Sequence, residues 1–139
     1  MHYIEELLEA IFPFVEEQLS KNGEFYPVAA AMQADDEIVL FGSWEGNDHP
    51  LSEDIIESLK AGLKEAARKG EYKAAAIIYD VTVSDPDTNE QQNAIAALVE
   101  NNVDGEAFTL YYIYALGGDK TLQYGDSWRS EKDKEIFIH

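Results

Sequence analysis

The fold is decided by residues 72–116, YKAAAIIYDVTVSDPDTNEQQNAIAALVENNVDGEAFTLYYIYAL, which contain three long runs of strand-forming residues. The runs cover 72–83, 91–101 and 106–116, and the segments between them are rich in Asp, Asn, Pro and Gly, as turns are. Connections this short require that neighbouring strands run antiparallel. The stretch therefore predicts a three-stranded antiparallel meander.

The residues before the meander predict two helices and two strands. Apolar residues recur at helical spacing between residues 4 and 19, with Glu on the opposite side, and Pro13 predicts a kink or a break in this helix. Two strands are predicted at 25–33 and 37–44. A second helix is predicted from an N-cap at Ser52 to a stop at Gly70.

The tail after residue 116 predicts a short segment around 121–124, a polar loop, and a closing strand at 135–138. The element order is then α-β-β-α-β-β-β in one α+β domain that spans residues 1–139, with a mainly antiparallel sheet. Two helices are too few to cover both faces of such a sheet. We therefore predict that both helices pack on one face and leave the other partly open.

The net charge of the chain limits the classes of molecule that it can bind. Twenty-eight acidic residues against ten basic ones give a formal net charge of −18. Such a charge repels nucleic acids and anionic lipid surfaces, and it speeds the encounter with a basic protein surface. We therefore expect a basic protein partner, no nucleic acid and no membrane. Acidity as a device for solubility alone is the alternative.

The absence of cysteine excludes disulfides and thiol chemistry, and it favours a reducing compartment. The chain begins MHYIEE, with acidic residues where a signal peptide carries basic ones, and its apolar runs are too short to cross a bilayer. These features predict a soluble, cytoplasmic protein.

Motifs for metal or cofactor chemistry are absent from the sequence. Residues 85–89, DPDTN, match the opening of a calcium loop, but Glu90 stands where that loop needs Gly and Ala96 where it needs a bidentate Glu. A hairpin turn is the better interpretation. The three histidines lack metal-ligand spacing, and these are His2, His49 and His139. We predict no metal and no cofactor, and binding rather than catalysis, although enzymatic activity stays open.

Asp80 is the most unusual polar residue, because it interrupts an apolar strand. With a hairpin centred near Pro86 and Asp87, Asp80 lies opposite Asn93, and the pair is either a ligand or partner contact or a solvated part of the open face. An acid–base pair of Asp80 with Glu100 requires a register that places both side chains on one face.

Several aromatic residues are the second unusual feature. Tyr112 and Tyr114 share a face of their strand with Phe108, Leu110 and Leu116, which indicates that this is the core side and places Tyr111 on the open side. Trp44 is predicted at a strand end and Trp128 in the polar tail loop, where aromatic residues either form binding hot spots or seal the core margin. The predicted partner-binding residues are Trp44, Asp80, Asn93, Tyr111 and Trp128.

In size, acidity, lack of cysteine and its α+β meander, the chain resembles the small immunity proteins of bacterial polymorphic toxin systems. Residues 23–27, GEFYP, followed by three alanines at 29–31, resemble a pattern of uncharacterised bacterial proteins. The resemblance implies that the protein neutralises a toxin by occlusion. Two alternatives remain, namely a small-molecule-binding or hydrolytic domain with a pocket near Asp80, and a homo-oligomeric structural protein, of which a homodimer is the simplest form.

Overall fold

The computed structural model describes residues 3–23, 25–41, 52–84, 87–103, 105–119 and 121–137. Two helices and six strands follow one another along the chain, and they confirm the predicted α+β class. In chain order they are α1 (Tyr3–Asn22), β1 (Val28–Gln33), β2 (Ile38–Phe41), α2 (Ser52–Arg68), β3 (Tyr72–Ser84), β4 (Gln91–Asn101), β5 (Glu106–Leu116) and β6 (Leu122–Glu131). Neither helix is both long enough and apolar enough to cross a membrane, within the residues described.

The six strands form one antiparallel sheet in the order β2-β1-β3-β4-β5-β6. The predicted meander is confirmed as β3, β4 and β5, and the predicted bounds of β4 and β5 agree with the structure. Its two turns use left-handed backbone at Asn89 (φ 59°) and Gly105 (φ 75°), which Asn and Gly adopt at low cost. The strands β2 and β6 are the edges of the described sheet.

The two helices pack on opposite faces of the sheet, so the prediction that they share one face is wrong. Helix α1 packs against the face that carries Ala76 and Val99, whereas α2 packs against the face that carries Ile77 and Leu98. The physical reason lies in the central strands. Residues 74–78 and 94–99 are continuous apolar runs in which every residue is at most 4% exposed, and successive strand residues point to opposite faces. Both faces therefore need a cover, as they do in sheets buried on both sides.

Helix α1 continues through Pro13, so the predicted break does not occur. Pro13 lies on the exposed side of the helix. The opposite side is anchored in the core by residues that are at most 1% exposed, namely Leu7, Ile11, Val15 and Leu19. Burial of four aliphatic side chains is worth about 1.5–3 kcal/mol each, which outweighs the roughly 3 kcal/mol cost of one proline within a helix.

The end of the chain also differs from the prediction. The strand β6 is one continuous strand that includes Trp128, where a short segment and a polar loop were expected. The expected closing strand at 135–138 is wrong for residues 135–137, which form bends, and residue 138 lies outside the described residues. We refer to residues 132–137 as the C-terminal segment. Ile136 and Phe137 of this segment are buried on the α2 face of the sheet beside Leu98.

Candidate functional site

The structure tests the predicted position of Asp80 and Asn93. Asp80 pairs with Ile95 and Asn93 pairs with Thr82, so the predicted pairing of Asp80 with Asn93 is wrong by two residues. The β3–β4 loop is centred one residue later than predicted, because the last pair of the ladder is Ser84 with Gln91. A shift of two residues preserves the face, so Asp80 and Asn93 lie diagonally on the α1 face. The predicted residue Trp44 lies outside the described residues.

Asp80 has a partner within the protein. Its carboxylate accepts a hydrogen bond of 2.8 Å from the Tyr114 hydroxyl. Burial, and then the hydrogen bond to Asp80, raise the pKa of Tyr114 well above its usual value. Glu100 lies on the α2 face, because it pairs with Ala75, and so the register excludes an acid–base pair of Asp80 with Glu100. Asp80 is thus a structural acceptor for a core tyrosine.

Tyr111 and Trp128 meet on the α2 face, across the β5–β6 ladder. Their rings stack with centroids 5.1 Å apart and planes 20° apart. Tyr111 points to the face opposite Tyr112 and Tyr114, which pack in the core with α1, but the prediction that this face is open is wrong, because α2 packs on it. Trp128 is 41% exposed, although it belongs to a strand. The pair forms an exposed aromatic surface beside the sheet edge.

A groove between α1 and the β5–β6 end of the sheet is the most distinctive surface feature. It is a shallow groove that is widely open to solvent, with a volume of about 330 Å³, and its lining is Leu8, Glu9, Phe12, Glu16, Tyr112 and Tyr124. We call these six residues the acidic groove. A second cavity of about 360 Å³ adjoins it, because both are lined by Leu8 and Tyr112. The second cavity extends the surface towards Glu5 and Glu106.

Aromatic rings form the floor of the acidic groove. Phe12 meets the Tyr112 ring edge to face, with centroids 5.2 Å apart, and Tyr112 meets Tyr124 in the same manner at 6.5 Å. The Tyr124 hydroxyl donates a hydrogen bond of 2.6 Å to Glu16. Burial and this hydrogen bond raise the pKa of Tyr124, which is nevertheless 45% exposed. The contact ties α1 to β6 and leaves an apolar floor in contact with solvent.

Carboxylates form the rim of the acidic groove. Helix α1 carries five Glu and one Lys, and no basic side chain is among the six residues of the groove. The one basic residue that lines the neighbouring cavity is Arg129, which lies 3.7 Å from the Phe108 ring centroid and 2.9 Å from Glu131. Its charge is therefore already balanced. The arrangement suits a ligand that combines positive charge with an aliphatic stem.

Glu100 is a buried carboxylate with a different role. It is 1% exposed, and the backbone N–H groups of Glu135, Ile136 and Phe137 donate to it at 2.8–3.1 Å for their shortest contacts. The Lys132 ammonium adds a contact of 2.7 Å. A buried charge is tolerated when it is fully hydrogen-bonded and paired, as here. Glu100 therefore anchors the C-terminal segment to the sheet.

Sequence reasoning missed the acidic groove. Glu9 and Glu16 were assigned only to the solvent side of the first helix, and Tyr124 to a short segment without a role. A signal exists, because Glu9 and Glu16 are seven residues apart and flank Phe12 on one side of the helix. Their contact with Tyr124 depends on the position of β6, which local sequence does not reveal. Across the described residues, no group of three or more acidic or His side chains is placed to hold a metal ion.

Comparison of the chain with protein-family models, with curated protein sequences and with solved structures found no match.

Proposed function

We propose that this chain is a cytoplasmic binding protein that takes up a basic segment of a partner protein in the acidic groove and occludes the partner's surface. The observation that carries the proposal is the combination of an aromatic floor and a carboxylate rim between α1 and β6. Arg and Lys side chains match this combination, since they carry an apolar stem and a charged head. Occlusion is also how proteins of the immunity type act, which agrees with the resemblance drawn from the sequence.

The energetics favour a cation in the groove. A cation placed over Tyr112 or Tyr124 gains about 0.5–2 kcal/mol from each ring. A hydrogen bond to a charged group such as Glu16 adds about 1.5–3 kcal/mol. The net charge of −18 acts at longer range, where it speeds the encounter with a basic partner and makes binding weaker at high salt. Affinity therefore depends on the groove, and the rate of association on the charge of the whole chain.

The two alternative functions have less support. A pocket that uses Asp80 would compete with Tyr114 for the same carboxylate. A homodimer must overcome the repulsion between two chains that each carry a net charge of −18. The repulsion does not arise with a basic partner, which gains from the same charges, and the acidic groove adds a second carboxylate, Glu9, to the one that Tyr124 contacts.

The proposal is tested with a fluorescent peptide of alternating Arg and Val residues, equal in length to β6. We expect fluorescence anisotropy to detect binding at low salt, with an affinity that falls as salt is added. The double variant Glu9→Gln/Glu16→Gln should weaken binding about tenfold, which corresponds to about 1.4 kcal/mol.

The matched control is Glu53→Gln/Glu57→Gln, which removes the same charge from exposed positions of α2 on the other side of the sheet. We expect this control to change affinity by less than about threefold, because screened charges far from the site act weakly. Equal losses in both variants would show that only net charge attracts the peptide. That result, or no binding at low salt, would refute the proposed function.

A further inference from the structure

The outer edge of β6 is the longest exposed edge of the described sheet. Strand β6 spans Leu122–Glu131 and pairs with β5 on one side, and no described strand lies on its other side. Every residue of β6 except Leu122 is exposed. An edge of this length presents backbone N–H and C=O groups in the spacing that another strand requires. The opposite edge, β2, is only four residues long.

The edge of β6 lacks two common devices against strand addition. Its sequence, LQYGDSWRSE, contains no Pro and no Lys, which natural edge strands often use as guards. A register shift between Tyr112 and Tyr114 places an extra residue in β6 near Gly125. Residues 127–131 beyond this bulge pair regularly with β5, so the outer N–H and C=O groups of this half follow the regular spacing of a strand.

We propose that the partner's basic segment binds as an extended strand, which pairs with the outer edge of β6 and adds a seventh strand to the sheet. The inference rests on the proposed function, because it specifies how the occupant of the acidic groove is held. The acidic groove and the edge then form one site, in which main-chain hydrogen bonds give affinity and alternate side chains give specificity.

The two faces beside the edge define the sequence that the partner strand needs. Tyr124 pairs with Tyr114 and so lies on the α1 face, where its hydroxyl reaches Glu16 at the rim of the groove. Trp128 pairs with Tyr111 and so lies on the α2 face, where it is 41% exposed. Successive side chains of an added strand point to these two faces in turn.

The recognised chemistry is therefore an extended segment in which basic and apolar residues alternate. The basic residues meet the carboxylates of Glu9 and Glu16, and the apolar residues cover Trp128. Charge complementarity on the α1 face selects this occupant over a second copy of the chain, whose own β6 carries two acidic residues and one basic residue, namely Asp126, Arg129 and Glu131. A second copy would also bring its own net charge of −18.

The experiment uses three forms of the alternating Arg–Val peptide, with the full-length protein. One form is unmodified, one is N-methylated at every Arg, and one is N-methylated at every Val. In a strand, the N–H groups of alternate residues point to the same edge, so only one of the two methylated series removes the bonds to β6. We expect one methylated peptide to bind at least about tenfold more weakly and the other to stay within about threefold of the unmodified peptide.

Amide hydrogen exchange gives a second readout on the protein. Alternate amides of residues 127–131 point away from β5, and the unmodified peptide should slow their exchange. Equal binding of all three peptides, or equal loss in both methylated forms, would overturn strand addition. Slow exchange of the same amides in the protein alone, together with a dimer in sedimentation, would also overturn it, because a second copy would then occupy the edge.

The failures of the two proposals are distinguishable. If the unmodified peptide does not bind at low salt, the proposed function itself fails. In a second case, the unmodified peptide binds and the Glu9→Gln/Glu16→Gln variant weakens its binding, but the two methylated peptides bind with equal affinity. The groove is then the site, and only the added strand is refuted.

Discussion

Replacing Glu100 with Ala should release the C-terminal segment, and the magnitude follows from its contacts. Three backbone N–H groups donate to the Glu100 carboxylate, and hydrogen bonds to a charged group contribute about 1.5–3 kcal/mol each, or about 4.5–9 kcal/mol in total. Burial of Ile136 and Phe137 adds about 3–6 kcal/mol, at about 1.5–3 kcal/mol for each side chain. Against these gains, ordering residues 132–137 costs about 6–12 kcal/mol at about 1–2 kcal/mol per residue.

The balance is narrow, so Glu100 decides whether the segment is docked. Without its carboxylate, the burial of Ile136 and Phe137 cannot offset the cost of ordering, and three N–H groups would be left unpaired. We expect the segment to detach and to expose Leu98 beneath it. The free energy of unfolding should fall by about 2–4 kcal/mol, which is the net stability of the docked segment with the newly exposed apolar surface.

The assay combines urea denaturation with amide hydrogen exchange. The amides of Ile136 and Phe137 should lose their protection in Glu100→Ala, while those of β3 and β4 keep theirs. The control Glu71→Ala removes a carboxylate from an exposed position before β3 and should change stability by less than about 0.5 kcal/mol. In a chain shortened before Glu135, Glu100→Ala should have a much smaller effect, because the two changes remove the same interaction.

One result would refute the reasoning about Glu100. If Glu100→Ala loses less than about 1 kcal/mol and the Ile136 amide stays protected, then apolar packing alone holds the segment. Equal effects of Glu100→Ala in the full-length and the shortened chain would lead to the same conclusion, because the two changes would then be independent.

Two further predictions concern Tyr114 and Pro13. Tyr114→Phe removes the donor to Asp80 and should cost about 1–2 kcal/mol, whereas Tyr111→Phe, which keeps the ring that stacks on Trp128, should cost less than about 0.5 kcal/mol in the same denaturation assay. Because the folded state raises the pKa of Tyr114, the contribution of this residue to stability is complete below about pH 10 and is lost as the pH rises further. The decline in the free energy of unfolding between about pH 9 and 11 should therefore be shallower in Tyr114→Phe. An unchanged slope would contradict this prediction. Pro13→Ala restores a backbone donor on the exposed side of a continuous helix and should raise the free energy of unfolding by about 1–3 kcal/mol, and a lower value would show that the proline is needed for the shape of α1.

The elements of the meander could be predicted from the sequence because their signals are local. Runs of strand-forming residues end at turn residues with the backbone freedom that Asn89 and Gly105 show, and so β4 and β5 begin and end where expected. The faces of Tyr111 and Tyr112 followed from the period of two along a strand. The apolar runs at 74–78 and 94–99 indicate burial on both faces of the sheet. They are a stronger guide to the placement of the helices than the argument that two helices are too few to cover both faces.

The candidate site could not be predicted in the same way, because it joins residues that are distant in the chain. Asp80 was singled out correctly as unusual, but its partner Tyr114 depends on the register of two ladders. Glu16 and Tyr124 are 108 residues apart and meet only because α1 crosses the end of the sheet where β6 lies. Glu100 accepts hydrogen bonds from backbone N–H groups, which every residue except proline possesses. No pattern of side chains in the sequence therefore predicts this contact.

Local spacing and turn chemistry thus predict the two helices and the three strands of the meander, and composition alone sets the strongly negative charge of this protein. Tertiary structure alone decides where that charge acts. It places the carboxylates of α1 beside the aromatic rings of β5 and β6, and it leaves the edge of β6 next to them. The reason is that pairing register and helix placement depend on the burial of both sheet faces at once, which no short stretch of sequence contains.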